Sequence, residues 1–198
     1  MITLLKYKKT TDFFGGEEYV TKELKLIETE IYTYPQMNER LVMDSDILGT
    51  ALSRSDIVII TSPIDTLSDD KIKLFLSKQF SLPLERDIKT MERIEEAFKR
   101  NRLDVPQTAE SLSFFPKGAT VFANQRGIQS GYGIIVQGKI IICVPDDNLQ
   151  QRQMYDDYIF SFLSDFSNTF VEERTVGIYG LTGAYVKAQI SLKLKNCG

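Results

Sequence analysis

The chain contains no histidine. That removes Ser-His-Asp and Cys-His nucleophile chemistry and every metal site built on imidazole. Catalysis, if any, must rest on carboxylates, hydroxyls, lysine or a hard cation held by oxygen. Cysteine is scarce as well: Cys143 lies inside an apolar run and Cys197 near the end of the sequence. Two such residues make neither a disulfide framework nor a zinc spacing, and they read as a buried thiol and a free thiol in a reducing cytosol. Long hydrophobic runs are missing. Stretches such as Ile140–Val144 fall far short of the roughly 20 residues of a membrane-spanning helix, and the first residues carry no signal-peptide pattern. There is no basic excess: 24 Lys and Arg stand against 27 Asp and Glu, net −3, which leaves no electrostatic footprint for nucleic acid. The expectation is a cytoplasmic protein with neither a membrane nor a nucleic acid as partner.

What is present suits an ordinary globular domain plus a small appendage: 198 residues, 42% hydrophobic and 26% charged. The most informative stretch is Arg54–Asp70, RSDIVIITSPIDTLSDD. Ile57 to Ile60 are β-branched and apolar, the pattern of a strand buried on both faces. The loop SPIDTLS follows, and Asp69-Asp70 is expected to open a helix with Ile72, Phe75, Leu76 and Phe80 at helical spacing. A buried strand, a tight loop and a helix N-terminus place free backbone N–H groups at the carboxyl end of a sheet, where anionic ligands bind in open α/β folds.

Around this stretch the sequence predicts a strand at Ile2–Tyr7, a helix over Glu17–Glu28, and a second strand Glu30–Tyr34 ended by Pro35. Asn38 is a candidate cap for a helix to about Ser53, with Gly49 a weak point inside it. A helix over Asp87–Arg100 turns Ile88, Met91, Ile94 and Phe98 inward, and residues 101–118 read as a long loop with room for a helical turn. Thr120–Ala123 is a short strand. Gln137-Gly138 joins Gly133–Val136 to Lys139–Val144 as a two-residue hairpin. A last helix, capped within Pro145–Asn148, runs to Phe166 with Met154, Tyr158, Ile159, Phe162 and Leu163 as its apolar stripe. The order predicts an α/β fold: a three-layer, mainly parallel sheet with helices on both faces and an antiparallel element late in the chain. Residues 1–167 form this domain. Residues 168–198, with a strand at Arg174–Tyr179 and an apolar stretch Tyr185–Leu194, form a short strand-helix extension whose exposed apolar side chains suggest a homo-oligomer, a dimer first.

These residues resemble the CinA (competence/damage-inducible protein A) family. Arg54–Thr61 followed by Asp69-Asp70 is similar to that family's strand and T-G-G-L-G-P-T-x-D-D loop. Asn124-Gln125-Arg126-Gly127-Ile128-Gln129-Ser130-Gly131 is similar to its N-x-x-G-T-A-P-G. Val144-Pro145 stands at its L-P-G-V-P-x-E-M, and Glu173–Gly180 resembles the start of its middle subdomain. The resemblance implies a molybdopterin-binding (MoCF-type) α/β fold. In activity it implies divalent-metal-dependent (Mg, Mn or Co) cleavage of ADP-ribose or related pyrophosphates, or more weakly molybdopterin binding. The deamidase domain carried by many CinA proteins has no counterpart in these residues.

The sequence departs from the family where chemistry needs it most. Ser62 and Pro63 replace two glycines, Asp65 replaces a third, and Thr66-Leu67 replaces Pro-Thr. Pro63 offers no N–H, and Asp65 sets a carboxylate where phosphate oxygens would lie. The expectation is therefore a degenerate phosphate or nucleotide site in a binding or regulatory protein, with the metal-dependent pyrophosphatase as the alternative. The candidate contacts to a phosphorylated nucleotide or pterin are Thr61, Ser62, Thr66, Ser68, Asn124, Gly127, Gln129, Ser130 and Gly131. Asp69 and Asp70 are candidate metal ligands, with helix capping and complement of the helix dipole as their other reading. Lys9 and Arg126 are candidate phosphate contacts or ordinary surface charges. Asp146-Asp147 is a second carboxylate pair with the same capping alternative, and Asp156-Asp157 reads as a solvated face.

Overall fold

A computed structural model describes residues 2–7, 31–37 and 45–166, with side chains over 45–163. These lie in the first of two units, Met1–Asn168, and the second is Thr169–Gly198. The expected helix Glu17–Glu28, the candidate phosphate contact Lys9, the Asn38 cap, Cys197 and the elements of the extension lie outside the described residues.

Among the described residues, six strands make the main sheet, in the order β2 (Ile31–Met37), β1 (Ile2–Tyr7), β3 (Ile57–Ser62), β8 (Lys139–Pro145), β7 (Gly131–Val136), β6 (Thr120–Phe122). The first four are parallel; β7 and β6 run antiparallel, as the late hairpin predicts. Gln137 (φ 52°) and Gly138 (φ 74°) both adopt left-handed backbone, the requirement of the tight turn joining β7 to β8. β2 does not stop at Pro35. It lies at the sheet edge, where a missing N–H costs no ladder bond, and its register to β1 shifts between Leu5↔Tyr34 and Tyr7↔Met37 to absorb the proline.

The sheet is a middle layer because its central strands are apolar on both sides. Val58 and Ile60 of β3, with Ile141 and Cys143 of β8, pack against Leu48 and Ala51 of α1 (Ser45–Arg54) and Ile72 and Leu76 of α2 (Thr66–Phe80). Ile59 of β3, with Ile140, Ile142 and Val144 of β8, faces the opposite way onto Met154 and Ile159. The last helix supplies those contacts as α5 (Asn148–Met154), a π-helical turn (Tyr155–Ile159) and α6 (Phe160–Phe166), so the expected stripe is present with one extra residue bulged into it.

Between α2 and β6 lies a small lobe. β4 (Leu84–Arg86) pairs antiparallel with β5 (Phe114–Pro116) and is followed by α3 (Ile88–Arg100). The stretch read as a loop holds α4 (Gln107–Glu110) and a 3-10 turn, Ser111–Ser113. Met91 and Ile94 of α3 are buried as expected, but Ile88 is 69% exposed. At 100° per residue Ile88 lies roughly 90° from the middle of the Met91–Ile94–Phe98 face, and its place in the first turn leaves nothing above it. The inward reading of Ile88 is corrected accordingly.

Candidate functional site

The carboxyl end of β3 feeds the loop Pro63–Asp65 and then α2. The helix begins at Thr66, ahead of the Asp69-Asp70 pair expected to open it. Asp65 is its N-cap: the residue is extended (φ −152°, ψ 146°), and its carboxylate accepts from the Ser68 N–H at 2.8 Å and from the Ser68 hydroxyl at 2.8 Å. Capping therefore belongs to Asp65, which corrects the capping reading of Asp69 and Asp70, while Asp69 lies in the first turn, where an acid complements the helix dipole. The Asp65 carboxylate satisfies the N–H that faces the loop and complements the positive end of the helix dipole. An anion arriving here would compete with a negative charge already seated on the donors.

One turn into α2, Asp69 is almost fully buried, and so is Lys73 on the next turn. The Lys73 ammonium lies 2.5 Å from the Asp69 carboxylate, donates to the Leu112 carbonyl at 3.3 Å and stands 4.4 Å over the Phe115 ring. Burial pushes the Asp69 carboxyl above its ordinary value of 3.8, while the Lys73 charge opposes that rise. Gln129, buried, extends the network by donating to the Ser62 hydroxyl at 3.2 Å and approaching Asp69 at 3.5 Å. Cys143 and Tyr132 sit behind this network, both buried, and desolvation pushes the Cys143 thiol up to about 12.

A divalent cation needs several oxygen ligands. Here an ammonium already occupies the Asp69 carboxylate, and Asp70 faces a different cleft, lined also by Leu84 and Phe114. Among the described residues, no group of three or more His, Cys, Asp or Glu is placed to hold a metal. The described residues do not by themselves make the expected cation site.

The second candidate loop, Ala123–Ser130, lies beside the first, as the Gln129–Ser62 bond shows. Its organiser is Asn124, buried, whose amide donates to the Gln129 carbonyl (2.8 Å) and to Gln150 Oε1 (2.6 Å) and whose carbonyl accepts from the Arg126 N–H (2.9 Å). Gly127 and Gly131 are spaced by protein atoms. A Cβ on Gly127 would meet Asn124 Nδ2 at 3.0 Å; one on Gly131 would meet Met154 Sδ at 2.9 Å and the Cys143 carbonyl at 3.0 Å. Neither glycine has a positive φ. The Ser130 hydroxyl accepts from the Arg93 guanidinium. Arg126 carries its side chain in solvent.

Of the residues expected at the site, Ser62, Asp69, Gln129 and Asn124 form one hydrogen-bonded network, whereas Ser68 bonds to Asp65 and Ser130 to Arg93. Thr61 is wholly buried in β3, and Thr66 is half-buried as the first residue of α2. Asp70 faces away toward the small lobe. Asp147 caps α5 through the Gln150 N–H at 2.8 Å, while the Asp146 N–H donates to the Ser62 carbonyl at 2.6 Å. Asp156 and Asp157 are solvated as expected. Lys73, Arg93 and Gln150 were not foreseen. The available signal for Lys73 was its place in the apolar stripe Ile72–Lys73–Leu76, four residues after a carboxylate.

No family model matches the chain. It is 28% identical over 182 residues to a protein of Clostridium kluyveri named competence-damage inducible protein, covering 91% of this chain and 44% of that one. It is 30% identical over 169 residues to a protein of the same name in Caldicellulosiruptor bescii, covering 84% and 40%. The chain thus spans less than half the length of these curated relatives. Among solved structures, a CinA protein of unknown function from Thermoplasma acidophilum superposes with a TM-score of 0.64 at 15% identity, covering 84% of this chain and 97% of that chain. The resemblance to the CinA proteins read from the motifs is present along most of the chain. The mainly parallel, three-layer α/β fold is shared with a solved CinA protein.

Proposed function

We propose that this CinA-like chain is a binding or regulatory module whose phosphate site has been closed, with little or no catalysis of its own. The observation that carries the reading is the Asp65 carboxylate seated on the Ser68 N–H and hydroxyl at the head of α2. Pro63 in the same loop has no N–H to offer. The Asp69–Lys73 pair supports it, because the acid nearest the loop is neutralised internally by an ammonium rather than left free for a cation. A pyrophosphate and the phosphate of a pterin cofactor would meet the same carboxylate, so the reading disfavours both kinds of ligand here.

The test is an assay of the purified chain with ADP-ribose and Mg²⁺, Mn²⁺ or Co²⁺ supplied in turn. The expected result is no turnover above that of the metal alone. Turnover that vanishes in Asp70→Ala would instead establish the metal-dependent pyrophosphatase.

A further inference from the structure

A cleft of about 370 Å³ lies between α2 and the small lobe, away from the Asp65 loop. That volume is within the range of small-molecule sites. Its walls are apolar: Leu74, which is 48% exposed on α2, Leu84 of β4 and Phe114 of β5. Asp70 on α2 and Glu110 at the end of α4 are the acidic residues among its lining. Among the described lining residues the only cation is Lys73, and its ammonium is committed to Asp69 and the Leu112 carbonyl. The charge left facing the cleft is therefore negative, over a greasy floor with an aromatic ring in it.

We propose that this cleft binds a small organic cation with an apolar body, such as an aryl or alkyl ammonium. The body fits against Leu74, Leu84 and Phe114, and the ammonium is shared between Asp70 and Glu110. Anions are repelled by the same pair, and a neutral ligand forfeits the charge interaction. Phe114 adds a ring face suited to a cationic nitrogen. The inference shares the Asp69–Lys73 pair with the closed phosphate site but does not depend on the Asp65 cap, since the ligand would rest on Asp70, Leu74, Leu84, Glu110 and Phe114.

Phenethylamine, protonated at neutral pH, is the probe, with 2-phenylethanol and phenylacetate as its neutral and anionic counterparts. Titration of the full chain followed by methyl NMR should show saturable shifts at Leu74 and Leu84 with the amine, weakening as salt is added. Glu110→Gln, on an exposed position, and Asp70→Asn should each weaken the amine by about three- to tenfold without changing Tm. Equal affinity for the alcohol, tighter binding of phenylacetate, or shifts elsewhere with none at Leu74 and Leu84 would each overturn the proposal. ADP-ribose turnover is a separate readout, so failure of the closed-site reading and failure of this one are distinguishable.

Discussion

Lys73 and Asp69 form an ion pair of 2.5 Å in which the side chains are only 2% and 6% exposed. A pair so placed gains little over apolar residues of the same size, but breaking it strands a charge. Lys73→Met should therefore cost about 3–5 kcal/mol, whereas Asp69→Leu with Lys73→Met should come close to wild type or exceed it. Urea unfolding of the two variants checks this. Comparable losses in both would mean that the pair itself holds the fold.

The same pair makes stability depend on pH. Burial holds the Asp69 carboxyl above 3.8, so just above that pH the folded chain keeps a proton that the unfolded chain has released. The contribution of this group to stability is complete below 3.8 and falls as pH rises through the raised value. Wild type should thus lose ground against Asp69→Asn as pH rises from about 4. A difference that stays flat over that rise contradicts the raised value.

At Asp65 the cap is predicted to matter for stability independently of any ligand. Asp65→Ala removes the acceptor for the Ser68 N–H and hydroxyl and should cost about 1 kcal/mol, while Asp65→Asn should cost less. Thermal unfolding of the two variants gives the comparison. Loss-free replacement by Ala would mean the carboxylate is not seated on the helix.

Two glycines should respond in opposite senses to alanine. Gly131→Ala pushes a methyl toward Met154 Sδ and the Cys143 carbonyl, of which the carbonyl belongs to a central strand and cannot yield; about 1–3 kcal/mol is expected to be lost. Gly49 lies inside α1, exposed, with nothing within 4 Å of a new Cβ, so Gly49→Ala should add about 0.5–1 kcal/mol. Chemical denaturation of both measures the signs.

The architecture was legible wherever apolar periodicity was unbroken. Ile57–Ile60 announced a central strand because it is apolar on both faces, and Gln137-Gly138 announced its turn through the need for left-handed backbone. The small sheet was not legible, since Leu84–Arg86 offers three residues with two exposed charges and no alternation to read. The start of α2 lies ahead of the Asp69-Asp70 pair because a single N-cap, Asp65, sets it, and one acid in a polar loop leaves no periodic signal. Ile88 misled because spacing alone does not say where a helix's first turn ends its cover. Lys73 was invisible for a different reason: lysine is ordinarily a surface residue, and only the partner one turn back explains its burial.

The most direct measurement is a calorimetric titration of ADP-ribose into two proteins, the natural chain and Ser62→Gly/Pro63→Gly/Asp65→Gly. The triple change restores an N–H at position 63 and removes the carboxylate from the Ser68 donors, while glycine is tolerated as a helix cap. A closed site predicts no binding to the natural chain and measurable binding to the glycine variant. Binding to the natural chain that the three glycines leave unchanged would contradict it.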